Sequence, residues 1–427
     1  MGYRKSNYNC FVKKYDNPNE LIAYNTFSGS VGIIEKDQKE LYDTADLEFL
    51  QTQNSELFQT LVDGGFVVEE NLNEIELMKF NSMRARFIDD KISLTVNPYS
   101  GCNCRCIYCF ESSRLDKGVL MSQSIQEQLI EHLNNSLVGK KSLHINWFGG
   151  EPLIGFSVIE NLSKQIIKMC DEQEIAYSSS IVTNGYLLND EIVEKMKEYR
   201  ILNMQITIDG NKEIHDSRRI LKNGQGTFDV IMSNVIKYAK KGPSIQLRIN
   251  SDKTNLKAYK DVVQILEENG IFNDVKVNLG KVYTDDTNDY QPEKCFSDRE
   301  FYDEMFSFLK TKSPASIVLA QPAINGCAAV NVNNFVLDAD GSLYKCWNEV
   351  GCAEYSFGNI MDGIMMKDVA LNYTNYNTFD REECRKCKFV PICMGGCMSM
   401  KKDVIDCCPE KYILEEKLNH IVTTMNN

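Results

Sequence analysis

The chain has 427 residues, with 60 acidic against 47 basic side chains and a formal charge of −13. This balance disfavours nucleic-acid binding, which usually needs a basic surface. The sequence shows no apolar run near the roughly 18 residues that a membrane span requires, and no apolar segment follows Met1. We therefore expect a cytoplasmic protein without membrane contacts, long enough for two or three domains.

The first 85 residues contain few cysteines and no catalytic constellation. Their pattern predicts strands near 8–14 and 20–24, a turn at 28–30, two helices ending at 63–65, and a strand at 66–68.

Residues 90–290 alternate between strand-like and helix-like segments. Strands are predicted at 92–96, 143–147, 178–183, 203–208, 245–250 and 274–279. Amphipathic helices are predicted between them, for instance at 123–137 and 156–172. This alternation favours a parallel sheet, either open or curled into a partial barrel. A helix at 298–313 is predicted to join it to a cysteine-rich tail at 320–410.

Cysteine is the unusual residue, with sixteen in the chain and thirteen of them in the stretches 102–109 and 327–408. A reducing cytosol disfavours disulfides, so thiols gathered in this way indicate bound metal.

The first of these stretches has the spacing Cys102-x3-Cys106-x2-Cys109 and follows a predicted strand. Three thiolates bind three irons of a [4Fe–4S] cluster and leave the fourth iron without a protein ligand. A zinc site would need a fourth ligand close by, and none follows in the sequence. Iron–sulfur binding is therefore favoured, with Cys104 outside the ligand set.

This spacing after the first strand of an α/β domain resembles the radical S-adenosylmethionine (radical SAM) superfamily. The resemblance implies a partial (β/α)6 TIM-like barrel whose open iron chelates the amino and carboxylate groups of S-adenosylmethionine. One electron then cleaves the cofactor to a 5′-deoxyadenosyl radical, which removes a hydrogen atom from the substrate.

The same resemblance implies which residues contact the cofactor. Gly149, Gly150 and Glu151 would hold the methionyl amine, while Thr183 and Asn184 would lie beside the ribose, with a weaker indication for Ser180. Tyr108 would lie near the adenine. Arg248 would hold the carboxylate, or equally form a structural ion pair.

A strand end at 208–210 is followed by Glu213, His215, Asp216 and Arg218, a pattern familiar in peptide-modifying members. We expect His215 to be a hydrogen-bonded anchor rather than a catalyst. No catalytic acid or base is assigned, since Asp209, Asp338 and Asp340 each have a turn or strand-end explanation.

The tail resembles the SPASM extension, which carries two auxiliary clusters. The hairpin at 338–341 and the strand at 358–360 fit that extension. The implied ligands of the first auxiliary cluster are Cys327, Cys346 and Cys397, with Cys352 or an open iron completing it. Those of the second are Cys384, Cys387 and Cys393 with either Cys407 or Cys408. Three [4Fe–4S] clusters are thus expected.

The N-terminal region looks like the small winged-helix-like domain that recognises leader peptides by adding them to a sheet edge. We accordingly predict a leader-binding domain at 1–85, a radical SAM barrel at 86–300, and a linker helix with the SPASM domain at 301–427.

These features favour modification of a ribosomally synthesised precursor peptide, through thioether crosslinks between a Cys sulfur and a carbon of another residue. An electron donor of the flavodoxin or ferredoxin type would serve it. Formylglycine formation, carbon–carbon crosslinking and epimerisation remain alternatives. Sulfatase maturases typically carry an acidic residue where this chain has Trp347, which disfavours the first of them. A non-enzymatic electron carrier or zinc-binding protein would not explain the glycine-rich segment at 149–152.

Overall fold

The computed structural model describes residues 2–88, 90–284, 290–311, 317–399 and 407–425. Its N-terminal part contains two small antiparallel sheets and four helices. The strands are β1 (Tyr3–Lys5), β2 (Asn9–Lys13), β3 (Glu20–Asn25), β4 (Val31–Glu35) and β5 (Val67–Glu69). The helices are α1 (Lys36–Thr44), α2 (Leu47–Gln53), α3 (Ser55–Asp63) and α4 (Glu74–Phe87). β2, β3 and β4 form one sheet in that order, and β1 pairs with β5.

Several features of this region differ from the sequence-based expectation, which included neither β1 nor α4. Three helices, rather than two, precede Gly64. Asp46 and Asn54 each begin a new helix, because their side chains accept backbone N–H groups of the following turn. The strand β4 was also not predicted, since its Val31 and Ile33 are exposed and lack a one-sided apolar pattern.

The central part contains a parallel sheet with helices between its strands, and a separate antiparallel pair, β7 and β11. Its strands are β6 (Lys91–Val96), β7 (Cys104–Cys106), β8 (Ser142–Trp147), β9 (Ala176–Thr183), β10 (Ile201–Thr207), β11 (Arg219–Leu221), β12 (Ser244–Ser251) and β13 (Val275–Lys281). Its helices are α5 (Gln123–Ser136), α6 (Phe156–Glu172), α7 (Asp190–Glu198), α8 (Lys212–Arg218), α9 (Phe228–Tyr238) and α10 (Tyr259–Glu268). Six strands, β6, β8, β9, β10, β12 and β13, pair in parallel in chain order. The predicted α/β fold class is therefore confirmed.

The strands of this sheet alternate between apolar and polar positions. In β9, buried Ile181 faces the helix layer. Ser178 and Ser180, which point to the other side of the sheet, are only partly buried. The ring of His144 on β8 bridges the hydroxyls of Ser178 and Ser180, with both nitrogen–oxygen distances at 2.9 Å. The apolar side thus packs under helices and the other side is a polar interior, as a barrel requires.

The tail continues the same sheet. Its elements are α11 (Asp298–Leu309), β14 (Val336–Leu337), β15 (Ser342–Tyr344), β16 (Gly358–Asn359), α12 (Asp368–Thr374), α13 (Glu382–Arg385), α14 (Val390–Cys393) and α15 (Glu410–Met425). β14 pairs with β6 in parallel, and β15 and β16 follow antiparallel, giving nine strands. The predicted hairpin at 338–341 and the following strand are both present.

The N-terminal part packs directly on the tail. Tyr24 donates a hydrogen bond to the carbonyl of Ala320 at 2.7 Å, and the Thr26 hydroxyl donates to the carbonyl of Lys388. The Asn419 side chain bonds to two backbone groups around β2. Within the described ranges, no helix combines the length and apolar character needed to cross a bilayer.

Candidate active site

The loop with the first three predicted cysteine ligands lies at the carboxyl end of β6. Its middle forms β7, which pairs with β11 so that Cys106 stands opposite Arg219. Cys102, Cys106 and Cys109 are partly exposed, whereas Cys104 is only 1% exposed. The exclusion of Cys104 from the ligand set stays a prediction.

The chemistry of these thiols fits an iron–sulfur cluster. Burial raises the pKa of the Cys106 thiol to about 11, and also raises the pKa of Cys109. Binding as thiolates therefore requires a cation that displaces the protons. Among the described residues, no three His, Cys, Asp or Glu side chains converge on a point where one ion would sit. A cubane cluster takes each thiolate on a different iron, so cysteines spread around a loop suit it better than they suit a single zinc ion.

The glycine-rich segment after β8 packs on this cysteine loop. The backbone N–H of Glu151 donates to the carbonyl of Gly101 at 2.9 Å. A Cβ atom at Gly150 would lie 2.2 Å from that carbonyl oxygen, so only glycine permits the approach. The predicted cofactor segment and the predicted cluster loop are therefore in direct contact.

The fully buried carboxylate of Glu151 joins the glycine-rich segment to the end of β9. It accepts hydrogen bonds from the Thr183 hydroxyl and the Asn184 backbone N–H, both at 2.7 Å, and from the Leu153 N–H at 3.0 Å. Burial raises the pKa of Glu151 above its usual value, and the three hydrogen bonds offset part of this rise. Three protein donors already hold this carboxylate, so a direct contact to an ammonium group stays a prediction.

Asn184 connects the end of β9 with the cysteine loop. Its side-chain amide donates to the side-chain oxygen of Asn103 at 2.7 Å and lies 3.9 Å from the Cys102 sulfur. The three segments that the sequence analysis singled out thus meet at one mouth of the barrel.

Tyr108 lies at the centre of a buried polar network. Its hydroxyl donates to Asp209 at 2.5 Å and accepts from Arg219 at 2.8 Å and from Asn250 at 3.1 Å. Burial raises the pKa of Tyr108 far above its usual range, which keeps the phenol protonated. The Arg248 guanidinium extends this network by donating to Asn250 at 2.7 Å.

Arg218 holds two buried aspartates below this network. It donates to Asp209 at 3.1 Å and to Asp252 at 2.9 Å, and its guanidinium carbon lies 4.9 Å from the centre of the Tyr108 ring. Buried charges of this kind are strongly destabilising once a partner is removed. Arg218 therefore fixes the strand ends that carry the network.

For Arg248, the structure shows a hydrogen-bond partner on the same strand. Its guanidinium donates to the Asn250 side chain, and the structural ion-pair role stays a prediction. A Cβ atom at Gly280 would lie 2.3 Å from the guanidinium, so glycine makes room for it. Contact with a cofactor carboxylate stays a prediction.

His215 is buried and hydrogen-bonded, as expected of an anchor. Its Nδ1 accepts the backbone N–H of Asp209 at 3.2 Å, and its Nε2 lies 2.9 Å from the Thr227 hydroxyl. Burial lowers its pKa to about 4.

Three aromatic rings form a row at the same mouth. Phe110, next to Cys109, stacks on Phe148 with ring centres 6.5 Å apart and planes 22° apart. Phe148 stacks on Trp347 at 5.8 Å and 21°. Trp347 is 48% exposed and directly follows Cys346. This aromatic row therefore spans from the first cysteine loop to the tail.

The tail brings one predicted ligand set together around a cavity. This cavity has about 400 Å³ of empty space, partly open to solvent, and its lining includes Cys384, Cys387, Cys393, Cys407 and Cys408. Hydrogen bonding from Cys408 lowers the pKa of the Cys393 thiol to about 6. The Lys411 ammonium lies 3.2 Å from the Cys407 sulfur. Five thiols around one cavity fit a cluster.

Cys327, Cys346 and Cys397 form the second thiol group of the tail. Burial raises the pKa of Cys346 to about 12, and the charges of Cys327 and Cys397 contribute in the same direction. The Cys327 sulfur accepts the backbone N–H of Ala329 at 3.4 Å. Their joint binding of one cluster, which the SPASM resemblance implies, stays a prediction.

Several residues of the site were missed by the sequence analysis. They are Asn97, Asn103, Arg114, Arg219, Tyr290 and Glu349. Arg219 could have been found, since it directly follows the Arg218 of the recognised pattern. The remainder act through contacts between distant segments, which leave no local signal.

Comparison with known proteins identifies the central domain. Residues 96–289 match the model of the Radical SAM superfamily. The chain is 25% identical over 380 residues to the cysteine-type anaerobic sulfatase-maturating enzyme of Clostridium novyi (strain NT), covering 78% of this chain and 98% of that one.

Two solved structures share the fold. Native anSMEcpe with bound AdoMet and Cp18Cys peptide has a TM-score of 0.61 at 20% identity, covering 78% of this chain and 99% of that one. Streptococcus suis SuiB bound to precursor peptide SuiA has a TM-score of 0.52 at 15% identity, covering 93% and 95% of the two chains.

Proposed function

We propose that this chain, a radical SAM enzyme that uses S-adenosylmethionine, modifies a ribosomally synthesised precursor peptide by forming thioether crosslinks. The observation that supports a peptide substrate is an exposed sheet edge in the N-terminal part. β4 has β3 as its neighbour in a sheet ordered β2-β3-β4, and its Val31 and Ile33 are 43% and 49% exposed. An extended leader peptide can pair with such an edge and cover the apolar side chains.

The likeness to a precursor-bound maturase supports this reading. SuiB bound to SuiA covers 93% of the chain, whereas the sulfatase-maturase structure covers 78%.

The residues at the barrel mouth have distinct proposed roles. The bound cluster and cofactor supply a carbon radical that removes hydrogen from the substrate. Cys102, Cys106 and Cys109 would hold the cluster, and Glu151 would keep the glycine-rich segment and the end of β9 in place around the cofactor. Tyr108, Asn250 and Arg248 would orient its adenine and carboxylate ends.

The aromatic row supports crosslinking over formylglycine formation. Trp347 presents an apolar ring at the position after Cys346, and stacking on Phe148 holds it there. Nearby Asp338 is held by Arg114, which donates to both carboxylate oxygens at 2.7 Å. The mouth therefore offers a wall for a peptide side chain, while its nearby carboxylate is already paired.

Formylglycine formation is the second candidate, favoured by the sulfatase-maturating relative matched over 98% of its length. Carbon–carbon crosslinking and epimerisation remain compatible with the same barrel.

The crosslinking proposal also includes two further [4Fe–4S] clusters in the tail and an electron donor of the flavodoxin or ferredoxin type. Removing two hydrogens per crosslink releases electrons, which the tail clusters would accept.

The test is mass spectrometry of the peptide encoded beside the gene after anaerobic incubation with the reconstituted enzyme, S-adenosylmethionine and a reductant. We expect loss of two hydrogen atoms per crosslink and cysteines that can no longer be alkylated. Formylglycine on a sulfatase peptide, with no change in the neighbouring peptide, would establish the second candidate instead.

The sheet edge is tested with Val31→Asp and Ile33→Asp, matched by Val138→Asp, which changes a side chain that is 77% exposed after α5. We expect the first two to weaken leader binding roughly tenfold or more, and the control to bind like the parent. Equal binding of the leader peptide by all three variants would exclude the β4 edge as its binding site.

A further inference from the structure

A buried arginine lies on the same face of the first cysteine loop as one of its predicted ligands. Cys106 and Arg219 stand opposite each other in the antiparallel pair of β7 and β11. The Ile107 N–H donates to the Arg218 carbonyl at 3.0 Å, which makes Cys106 and Arg219 a non-hydrogen-bonded pair. Side chains of such a pair share one face, with Cβ atoms roughly 4.5–5.5 Å apart. Arg219 therefore lies on the side of the loop that carries the Cys106 thiol.

A single hydrogen bond to a side chain holds the guanidinium of Arg219 against this loop. The residue is 7% exposed, and its Nη1 donates to the Tyr108 hydroxyl at 2.8 Å. Tyr108 lies two residues after Cys106, within the same loop. The Nε–H of Arg219 is buried and has no hydrogen-bond partner in the described part of the chain. The guanidinium thus keeps a donor that no described group uses.

The charge of Arg219 also lacks a carboxylate of its own. Asp209 and Asp252 are the buried carboxylates of the neighbouring network, and both pair with Arg218. Asp209 is linked to Arg219 through the Tyr108 hydroxyl, which bonds to both. Across the described ranges, no carboxylate forms an ion pair with Arg219. Because an unpaired cation is unfavourable in a buried position, this face of the loop favours an anion.

We propose that this anion is the iron–sulfur cluster held by Cys102, Cys106 and Cys109, and that the charge of Arg219 raises the reduction potential of the cluster. A cubane cluster with three thiolates is negatively charged, and reduction adds one electron. A fixed cation stabilises the reduced cluster more than the oxidised one, because the attraction grows with the negative charge. Arg219 therefore makes the cluster easier to reduce. The inference rests on the proposed ligands of the first loop and does not depend on the product formed from the peptide.

The test is a redox titration of the full reconstituted chain, followed by electron paramagnetic resonance with and without S-adenosylmethionine. The triple variant Cys102→Ala, Cys106→Ala and Cys109→Ala gives the spectrum of the tail alone, so subtraction isolates the first cluster. Arg219→Gln removes the charge, and Arg219→Lys keeps it. Lys222→Gln is the matched control, because this lysine directly follows β11 and its side chain is 64% exposed, where solvent screens its charge.

We expect Arg219→Gln to lower the ratio of reduced to oxidised first cluster about tenfold at a given potential. For one electron this is a shift of about 59 mV to more negative values. Iron content and far-UV circular dichroism should stay unchanged, and Arg219→Lys and Lys222→Gln should keep the potential of the parent.

An unchanged potential in Arg219→Gln would overturn the proposal, as would an equal shift in Arg219→Lys or in Lys222→Gln. A shift that appears only in the presence of S-adenosylmethionine would also overturn it, because the guanidinium would then act on the carboxylate of the cofactor. If Arg219→Gln assembles no first cluster, Arg219→Lys decides. Full iron at the parent's potential in that variant supports the counter-ion role, and loss of the cluster excludes it.

These outcomes are separate from those of the peptide assay. If no crosslink forms but the potential responds to Arg219, only the assigned reaction fails. If the triple variant has the same spectrum as the parent, the loop holds no cluster, and the role of Arg219 fails whatever product the enzyme makes.

Discussion

The two cysteine regions of this protein are supported in different ways. The first loop lies on the ends of six parallel strands and above buried ion pairs between Arg218 and two aspartates. The tail cysteines lie among strands of two or three residues and helices as short as four. Elements this short bury little surface of their own, so bound metal is expected to supply much of the tail's stability. The barrel thus preforms its site, whereas we expect the tail to depend on its ligands.

The largest expected effect follows from removing the first loop's thiols. Cys102→Ala, Cys106→Ala and Cys109→Ala together should abolish 5′-deoxyadenosine formation, because these thiols are the proposed ligands of the cluster that binds and cleaves S-adenosylmethionine. Chromatography of the cleavage products measures this. The barrel should remain folded, since the pairing of its six parallel strands does not involve this loop. A large loss of helical circular dichroism signal would contradict the view that the barrel folds without its cluster.

A change in the tail should have a wider structural effect and a smaller catalytic one. Cys384→Ala with Cys387→Ala is expected to remove about four irons per chain. Amide hydrogen exchange should then accelerate in the tail and also around Tyr8, just before β2, because Tyr8 shares a hydrophobic cluster with Cys384. Exchange in β8 and β9 should stay unchanged; acceleration there to the same extent would show that the two regions are not independent.

The barrel's buried polar groups predict a pH dependence. Burial, with the charge of Arg219, lowers the pKa of His215 to about 4, against roughly 6.5 in the unfolded chain. As pH falls below about 6.5, the unfolded chain takes up a proton that the folded chain refuses, since Nδ1 accepts the Asp209 N–H. Stability should therefore decrease between about pH 6.5 and 4, by up to about 3 kcal/mol.

Urea unfolding at several pH values, followed by the fluorescence of buried Trp147 in a Trp347→Phe background, measures this slope. His215→Gln should reduce the slope without removing it, because burial also lowers the pKa of His132 and His144. A slope identical to that of the parent would exclude His215 as a contributor.

The smallest expected effect concerns the aromatic row between the two regions. Trp347→Ala removes a stacking surface of about 0.5–1.5 kcal/mol, so KM for the peptide should rise roughly two- to tenfold. Trp347→Phe keeps a ring and should recover most of the affinity. Unchanged iron content and cofactor cleavage would distinguish substrate positioning from structural damage, whereas a loss confined to kcat would contradict the role.

Much of the barrel was predictable because its signals are local. Alternation of strands and helices is visible within short windows, and the spacing of Cys102, Cys106 and Cys109 reflects one loop. The predicted helix at 123–137 begins at the same residue as α5, where the Ser122 side chain accepts the Ile125 N–H. The N-terminal helices were less predictable, because Asp46 and Asn54 interrupt what reads as a continuous pattern.

The sequence by itself determined the fold class, the three predicted ligands of the first loop and the segments expected around the cofactor, since each depends on neighbouring residues. Only the tertiary structure decided that Glu151 holds two strand ends together and that Arg218 pairs with two aspartates. These relations join residues far apart in the chain, and such contacts form only when the sheet and the tail close around them.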